Sequence, residues 1–293
     1  MTAHPLASAF SKIHRARHHI DELRASTRSF LQGEPYSLTS KLNRKKTEEV
    51  WSLSIDPIPW EIECQAADAL HNLRTPLDKM LAADFPNSAI HTRKAERSAI
   101  KFPAANSANQ FEKVIGRIQD HLQASVVEYL RSLQPYPGGV GEAFYLINHL
   151  DNQDKHRSLL EPMRASLTSV QQKQLIVQNG RVLRVGSRHG RHMLGFPGGL
   201  IQPNPELRPV YMPSYAEAKP GALEYTSRPN DFELLTTDPG AQVYLEFKPK
   251  LYLSFAHMEA LETKSAAELL EEWAQAVEDV LNNFGVVCGL APD

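Results

Sequence analysis

Gln174-Leu175-Ile176-Val177-Gln178, then Asn179-Gly180, then Arg181-Val182-Leu183-Arg184-Val185 is the stretch whose reading decides the fold. Two apolar, β-prone runs flank an Asn-Gly pair, and Asn-Gly suits a two-residue hairpin because both central residues of that turn need positive φ. The reading is therefore a β-hairpin, within a pattern that changes character from Met163 onward. Further strands are expected at Leu207 to Met212, Leu223 to Thr226, Phe232 to Thr236, Gln242 to Phe247 and Leu251 to Phe255. In the last pair Val243, Leu245 and Phe247 oppose Leu251, Leu253 and Phe255 across Lys248-Pro249-Lys250, as in one antiparallel sheet. Breakers crowd Gly186 to Gly221, which reads as largely irregular.

Outward from this segment the pattern is helical. Leu6, Phe10, Ile13, Ile20, Leu23, Thr27, Phe30 and Leu31 recur at helical spacing from Pro5 to Gln32, with Gly33 as the stop, and His14, Arg17, His18, Arg24 and Arg28 share one flank. That flank reads either as a solvated face covering the apolar seam or as a basic rail for phosphates. After a polar linker, Glu49 to Ile55 alternates with period two, as an isolated edge strand that waits for partners later in the chain. Pro59-Trp60 opens a helix with Ile62, Ala66, Leu70, Leu73, Leu77 and Leu81 as its stripe, which Pro76 is expected to kink or restart behind a Thr75 cap. Residues 84–106 read as a basic loop. Ser107 caps a helical run from Phe111 to Leu133, interrupted near Gly116, and Gln134-Pro135-Tyr136-Pro137-Gly138-Gly139 ends it. The next helix starts near Gly141. At the far end Ser265 caps a helix whose stripe runs from Leu269 to Phe284, closed by Gly285.

The expected fold class is α+β: a helical bundle, N- and C-terminal helices packed together, with an appended antiparallel β-sheet. Residues 1–163 form its mainly helical part with one early strand at about 48–56, residues 164–257 the β-rich part, and residues 258–293 the helix returning to the bundle, all as one interlocked unit. With 293 residues, 42% of them hydrophobic, the chain can bury a sizeable core. A net charge of −2 removes any argument that bulk charge draws it to nucleic acid, so such a site has to be a local patch. Cys64 and Cys288 form no CxxC or Cys/His cluster, and no signal-like N-terminus or spanning run is present. A cytoplasmic protein that engages no membrane is expected, with neither metal nor cofactor.

Chemistry concentrates in Asn148-His149-Leu150-Asp151-Asn152-Gln153-Asp154-Lys155-His156-Arg157. Asn, Asp and His are poorer helix formers than the residues that usually solvate a helix, so their crowding suggests side chains kept for hydrogen bonds or chemistry. A metal site on His149, Asp151 and His156 is disfavoured, because the two histidines stand two turns apart rather than at i, i+4. A structural network is one reading. The other is a nucleic-acid or phosphate site: His156 as general acid or base, Arg74 or Lys155 stabilising the developing oxyanion, and RNA cleaved through its 2′-hydroxyl without metal. His71, Arg74 and Asp78, at i, i+3 and i+7, lie on one side of their helix beside its apolar stripe and are able to meet the decamer. Arg74, Asp78 and His156 are then the catalytic candidates, and Asn148, Asp154, Lys155 and Arg157 the binding ones. The partner is RNA or a phosphate-bearing ligand.

His71-Asn72-Leu73-Arg74-Thr75-Pro76-Leu77-Asp78, together with Asn152-Gln153-Asp154-Lys155-His156-Arg157 and the intervening Gln134-Pro135-Tyr136, resembles a widespread family of bacterial helical proteins. Its members pair an LR-x-x-LD helix with a DKHR motif, and the family brings no settled activity. A second resemblance is to the HEPN ribonuclease superfamily, helical bundles with an Arg followed four to six residues later by His on one helix. Here Arg74 is followed by Asp78 and Lys79, with no histidine before His91. The second resemblance therefore implies a site in which Arg74 and His156 come together from different helices. The competing reading, from another class, is a non-enzymatic binding or scaffold module whose polar decamer locks the helices.

Overall fold

The computed structural model describes residues 4–83, 101–154, 163–168, 173–185, 208–212, 231–245, 250–255 and 264–290. They form an α+β protein of two compact units, one comprising Met1–Ser26, Trp60–Leu160 and Ala266–Asp293, the other Thr27–Pro59 and Glu161–Ser265. Neither unit is one continuous segment. The early strand region belongs with the β-rich part.

The helices are α1 Ala7–Gln32, which belongs to the helical unit as far as Ser26, and, wholly within that unit, α2 Trp60–Ala83, α3 Ala108–Ile118, α4 Ala124–Leu133, α5 Glu142–Asp154 and α6 Ala266–Val287. Leu6, just before α1, and Ala9, Ile13, Ala16, Ile20 and Leu23 within it are buried, while Phe10, Thr27, Phe30 and Leu31 are only half-buried, so the seam stops short of the helix end. Its basic flank meets α6: Arg17 reaches Glu278 at 2.6 Å and Glu271 at 3.4 Å, and Arg24 reaches Glu271 at 3.2 Å. These pairs tie the first helix to the last. Every expected stripe residue of α2 is buried. Pro76 neither breaks nor restarts α2, and Thr75 caps nothing: its hydroxyl donates to the His71 carbonyl at 2.9 Å inside the helix.

Ser107 caps α3 by accepting from the Gln110 N–H. The interruption falls at a 3-10 turn, Gln119–His121, and not at Gly116, which stays inside α3. α4 ends on Gln134 in the left-handed region, φ 48°. The chain then folds back so closely that a Cβ on Gly141 would overlap the Leu133 carbonyl. α6 buries Leu269, Leu270, Trp273, Val277, Val280, Leu281 and Phe284. It runs on through Gly285, itself buried beside Leu6, and the left-handed residue that ends it is Gly289, φ 64°. The Leu290 N–H then returns to the Gly285 carbonyl at 2.8 Å, as in a Schellman-type stop.

In the β unit, β1 Tyr36–Leu42, β2 Glu49–Ile55, β3 Met163–Thr168, β4 Lys173–Gln178, β5 Val182–Val185, β6 Arg208–Met212, β7 Asp231–Thr237, β8 Gln242–Leu245 and β9 Lys250–Phe255 are the described strands. They form three antiparallel sheets, ordered β1-β2-β7-β5, β6-β4-β8 and β3-β9, where one was expected. β2 is an interior strand and not an isolated edge. The edge is β1, inside the supposed polar linker; its faces are largely exposed, which is why its sequence carries so little apolar alternation. The strand expected at Leu223 to Thr226 and most of the basic loop lie outside the described residues.

The hairpin is not formed. β4 pairs with β6 and β8, and β5 pairs with β7. β8 and β9, also expected to pair, instead join β4 and β3. Only Asn179 takes positive φ, at 57°, whereas the expected turn needs it at both positions. Gln178 sits opposite Gln242 and Val182 opposite Thr237, so β4-β5 and β7-β8 run side by side as a bent ribbon that passes from one sheet to another. Asn179-Gly180 is the corner. A Cβ on Gly180 would stand 2.6 Å from the Ala241 Cβ, and Arg181 is held across the bend by Asp238, Nε to Oδ2 at 2.9 Å. Hydrogen bonding from the Arg181 guanidinium draws the Asp238 carboxyl below its usual range.

Gly180→Ala is expected to lower the urea midpoint of the β unit by an amount equivalent to about 1–3 kcal/mol, the usual consequence of overpacking. An unchanged midpoint would mean that the corner opens freely. In the helical unit Tyr129 donates to the Val280 carbonyl at 2.9 Å, and burial pushes its hydroxyl up to about 12. The folded state then holds a proton that the unfolded chain releases near pH ~10, so stability is full below ~10 and declines as pH rises through about 12. Tyr129→Phe should flatten that alkaline decline in denaturation midpoints measured across the range.

Candidate functional site

α2 and α5 lie side by side in the helical unit. On α2 the spacing that sets Leu70, Leu73 and Leu77 into the core places His71, Arg74 and Asp78 along the margin of the same stripe. α5 buries Phe144, Ile147 and Leu150, and its margin carries Asn148 and Asp151. The two margins meet. Arg74 Nε donates to Asn148 Oδ1 at 2.7 Å, and His71 Nδ1 stands 2.9 Å from Asp151 Oδ1.

Arg74 is an internal group. Its side chain is 7% exposed, and Nη1 lies 2.7 Å from Asp78 Oδ1, with no N–H directed at that oxygen within hydrogen-bond geometry. Asp78 also accepts the Phe102 N–H at 2.7 Å, so one carboxylate braces the guanidinium and anchors the chain that leads into α3. Beside it Asn72 accepts from Lys12 of α1 at 3.2 Å and donates to the Asp68 carbonyl. A guanidinium out of water needs such acceptors, since a buried cation without partners is strongly destabilising.

The His71 and Asp151 pair has the opposite exposure. The Asp151 side chain is 4% exposed and that of His71 is 55% exposed. An ionised carboxylate only accepts, so this contact selects the imidazole tautomer that carries its proton on Nδ1. Nε2 is then the basic nitrogen, on a ring whose orientation is set from below. Such an arrangement can accept or deliver a proton at the surface. Tyr145 and His149, one turn apart on α5, are half-buried and stack with centroids 5.5 Å apart and planes within 18°.

Of the residues singled out from sequence, Arg74, Asp78 and Asn148 come together here. Asp154 is the last described residue of α5, and Lys155, His156 and Arg157 lie outside the described residues. Sequence reasoning placed His71 on the correct face but did not set it among the site residues, and it considered Asp151 only as a metal ligand. A signal was available: His71 and Asp151 each stand three residues from Arg74 and Asn148, in the senses that antiparallel neighbouring helices bring into register. Among the described residues no group of three or more His, Cys, Asp or Glu side chains could hold a metal ion, and no helix is long and apolar enough to cross a membrane. No protein-family model, curated protein or solved structure matches the chain.

Arg74→Ala is expected to cost about 2–4 kcal/mol, somewhat less than breaking a fully buried pair because Asp78 is 35% exposed. Arg74→Lys should recover little of it, since an ammonium cannot match the planar fork shared between Asn148 and Asp78. Guanidinium denaturation of both variants measures this; wild-type stability for Arg74→Ala would remove the bracing role.

Proposed function

We propose that this protein is a metal-independent acid–base catalyst acting on phosphodiester-bearing ligands, with RNA as the leading substrate and with His71 as the proton-transfer group. The observation that carries the reading is the exposed imidazole held by a buried carboxylate. On this reading His71 Nε2 takes the proton of a ribose 2′-hydroxyl, whose oxygen attacks the adjacent phosphorus. The 5′-oxygen leaves with a proton from a second acid, a role that His156 fits by residue type, and a 2′,3′-cyclic phosphate remains. Lys155 and Arg157 flank His156 in sequence and supply cations to a chain whose overall charge supplies none. Arg74 serves as the brace that keeps α2 and α5 in register rather than as an anion-binding group. The likeness to the HEPN superfamily then rests on a helical Arg and a nearby His used in different ways.

A second reading draws on the burial of Arg74: the whole polar cluster locks a non-enzymatic binding module. His71→Asn separates the two. Asparagine keeps a short N–H donor for Asp151 but lacks the distal nitrogen, so stability should stay within about 1 kcal/mol while cleavage of single-stranded RNA in the presence of chelator falls about 100-fold or more. Wild-type protein that leaves RNA intact, or His71→Asn that cleaves as fast as wild type, would leave the module reading in possession.

A further inference from the structure

We infer that the stacked pair Tyr145 and His149 is a nucleobase platform beside the His71–Asp151 pair, so that the ligand is single-stranded nucleic acid rather than a duplex; this rests on the proposed function. The wheel of α5 directs Asn148 and Asp151 to α2 and sets Tyr145, His149 and Asn152 on the flank next to them. Asn152 is exposed, and Tyr145 and His149 are half-buried. The exposed His71 of α2 meets α5 at Asp151, the residue before Asn152 of this flank.

Two rings within 18° of parallel are already ordered, with side-chain freedom spent in folding. An unpaired base can extend such a stack, whereas a base inside a duplex has both faces covered by its neighbours. Stacking tolerates any base, so the platform selects for an unpaired base and not for a sequence. The platform positions the ribose and phosphate that follow the stacked base, and His71 acts on what is positioned.

The test measures fluorescence anisotropy of the full-length protein with a short single-stranded RNA, its abasic counterpart and the same RNA in a duplex. Wild type should bind the single strand more tightly than either control. Tyr145→Leu should bind it about ten-fold more weakly, as expected for loss of one base stack, with abasic binding unchanged. Tyr145→Phe, which keeps the ring, should retain wild-type affinity and shows that the position tolerates substitution. Equal binding of abasic and base-bearing strands, or a Tyr145→Leu variant that binds as wild type, overturns the platform. The two inferences fail separately: platform-dependent binding without cleavage removes the acid–base reading alone, and His71-dependent cleavage that ignores Tyr145 removes the platform alone.

Discussion

The helical unit is organised around a cation that has no water to turn to. Once Arg74 sits among Leu70, Leu73 and Leu77, its guanidinium needs acceptors: Asn148 of α5 accepts from Nε, and Asp78, one turn further along α2 itself, lies 2.7 Å from Nη1. Asn148 fixes the neighbouring helix in both rotation and height, because an amide oxygen 2.7 Å from Nε leaves little freedom in either. Asp78 fixes the entry of the next segment through the Phe102 N–H. Apolar stripes alone would let α2 and α5 slide by a turn with modest loss; a directed polar contact does not. The pairing of His71 with Asp151 follows from this register, since both lie three residues from the contact that sets it.

Helices with sustained apolar stripes were legible from residues alone. The stripes of α2 and α6 required nothing but spacing, because each faces a core that rewards every third or fourth position. Strand positions were legible too, at β2, β6, β7 and β9, but strand partners were not. Asn179-Gly180 shows why. A positive φ is wanted equally by a hairpin and by a corner at which a long strand bends into a second sheet, and the local chain carries no mark of whether its neighbour will be Val182 or Ala241. The deciding contact is more than fifty residues away in sequence. β1 escaped detection for a different reason: an edge strand with exposed faces is selected for solubility and loses the alternation that would reveal it.

The candidate site was legible by half. Polar crowding in a helix and three residues on one face indicated that two surfaces would meet, and they do. Roles were harder to assign than places, because arginine and histidine look equally reactive in a sequence. Depth separates them: the residue closer to the stripe becomes the brace, and its neighbour one step outward keeps contact with solvent. Three residues along α2, about 60° around the helix, separate the buried guanidinium from the exposed imidazole.

The discontinuity of the two units has a consequence for how the chain acquires its structure on the ribosome. α2 packs against α6, so the helical unit stays incomplete until α6 has been made. β2 likewise waits for β7, and Glu49 to Ile55 must remain unpaired on one side while nearly the whole β segment is synthesised. Contacts this distant in sequence slow folding and leave apolar stripes and an open strand edge exposed in the interval. α1 and α2 therefore wait for α6 and β2 waits for β7, so in each unit an early element is made long before the partner that covers it.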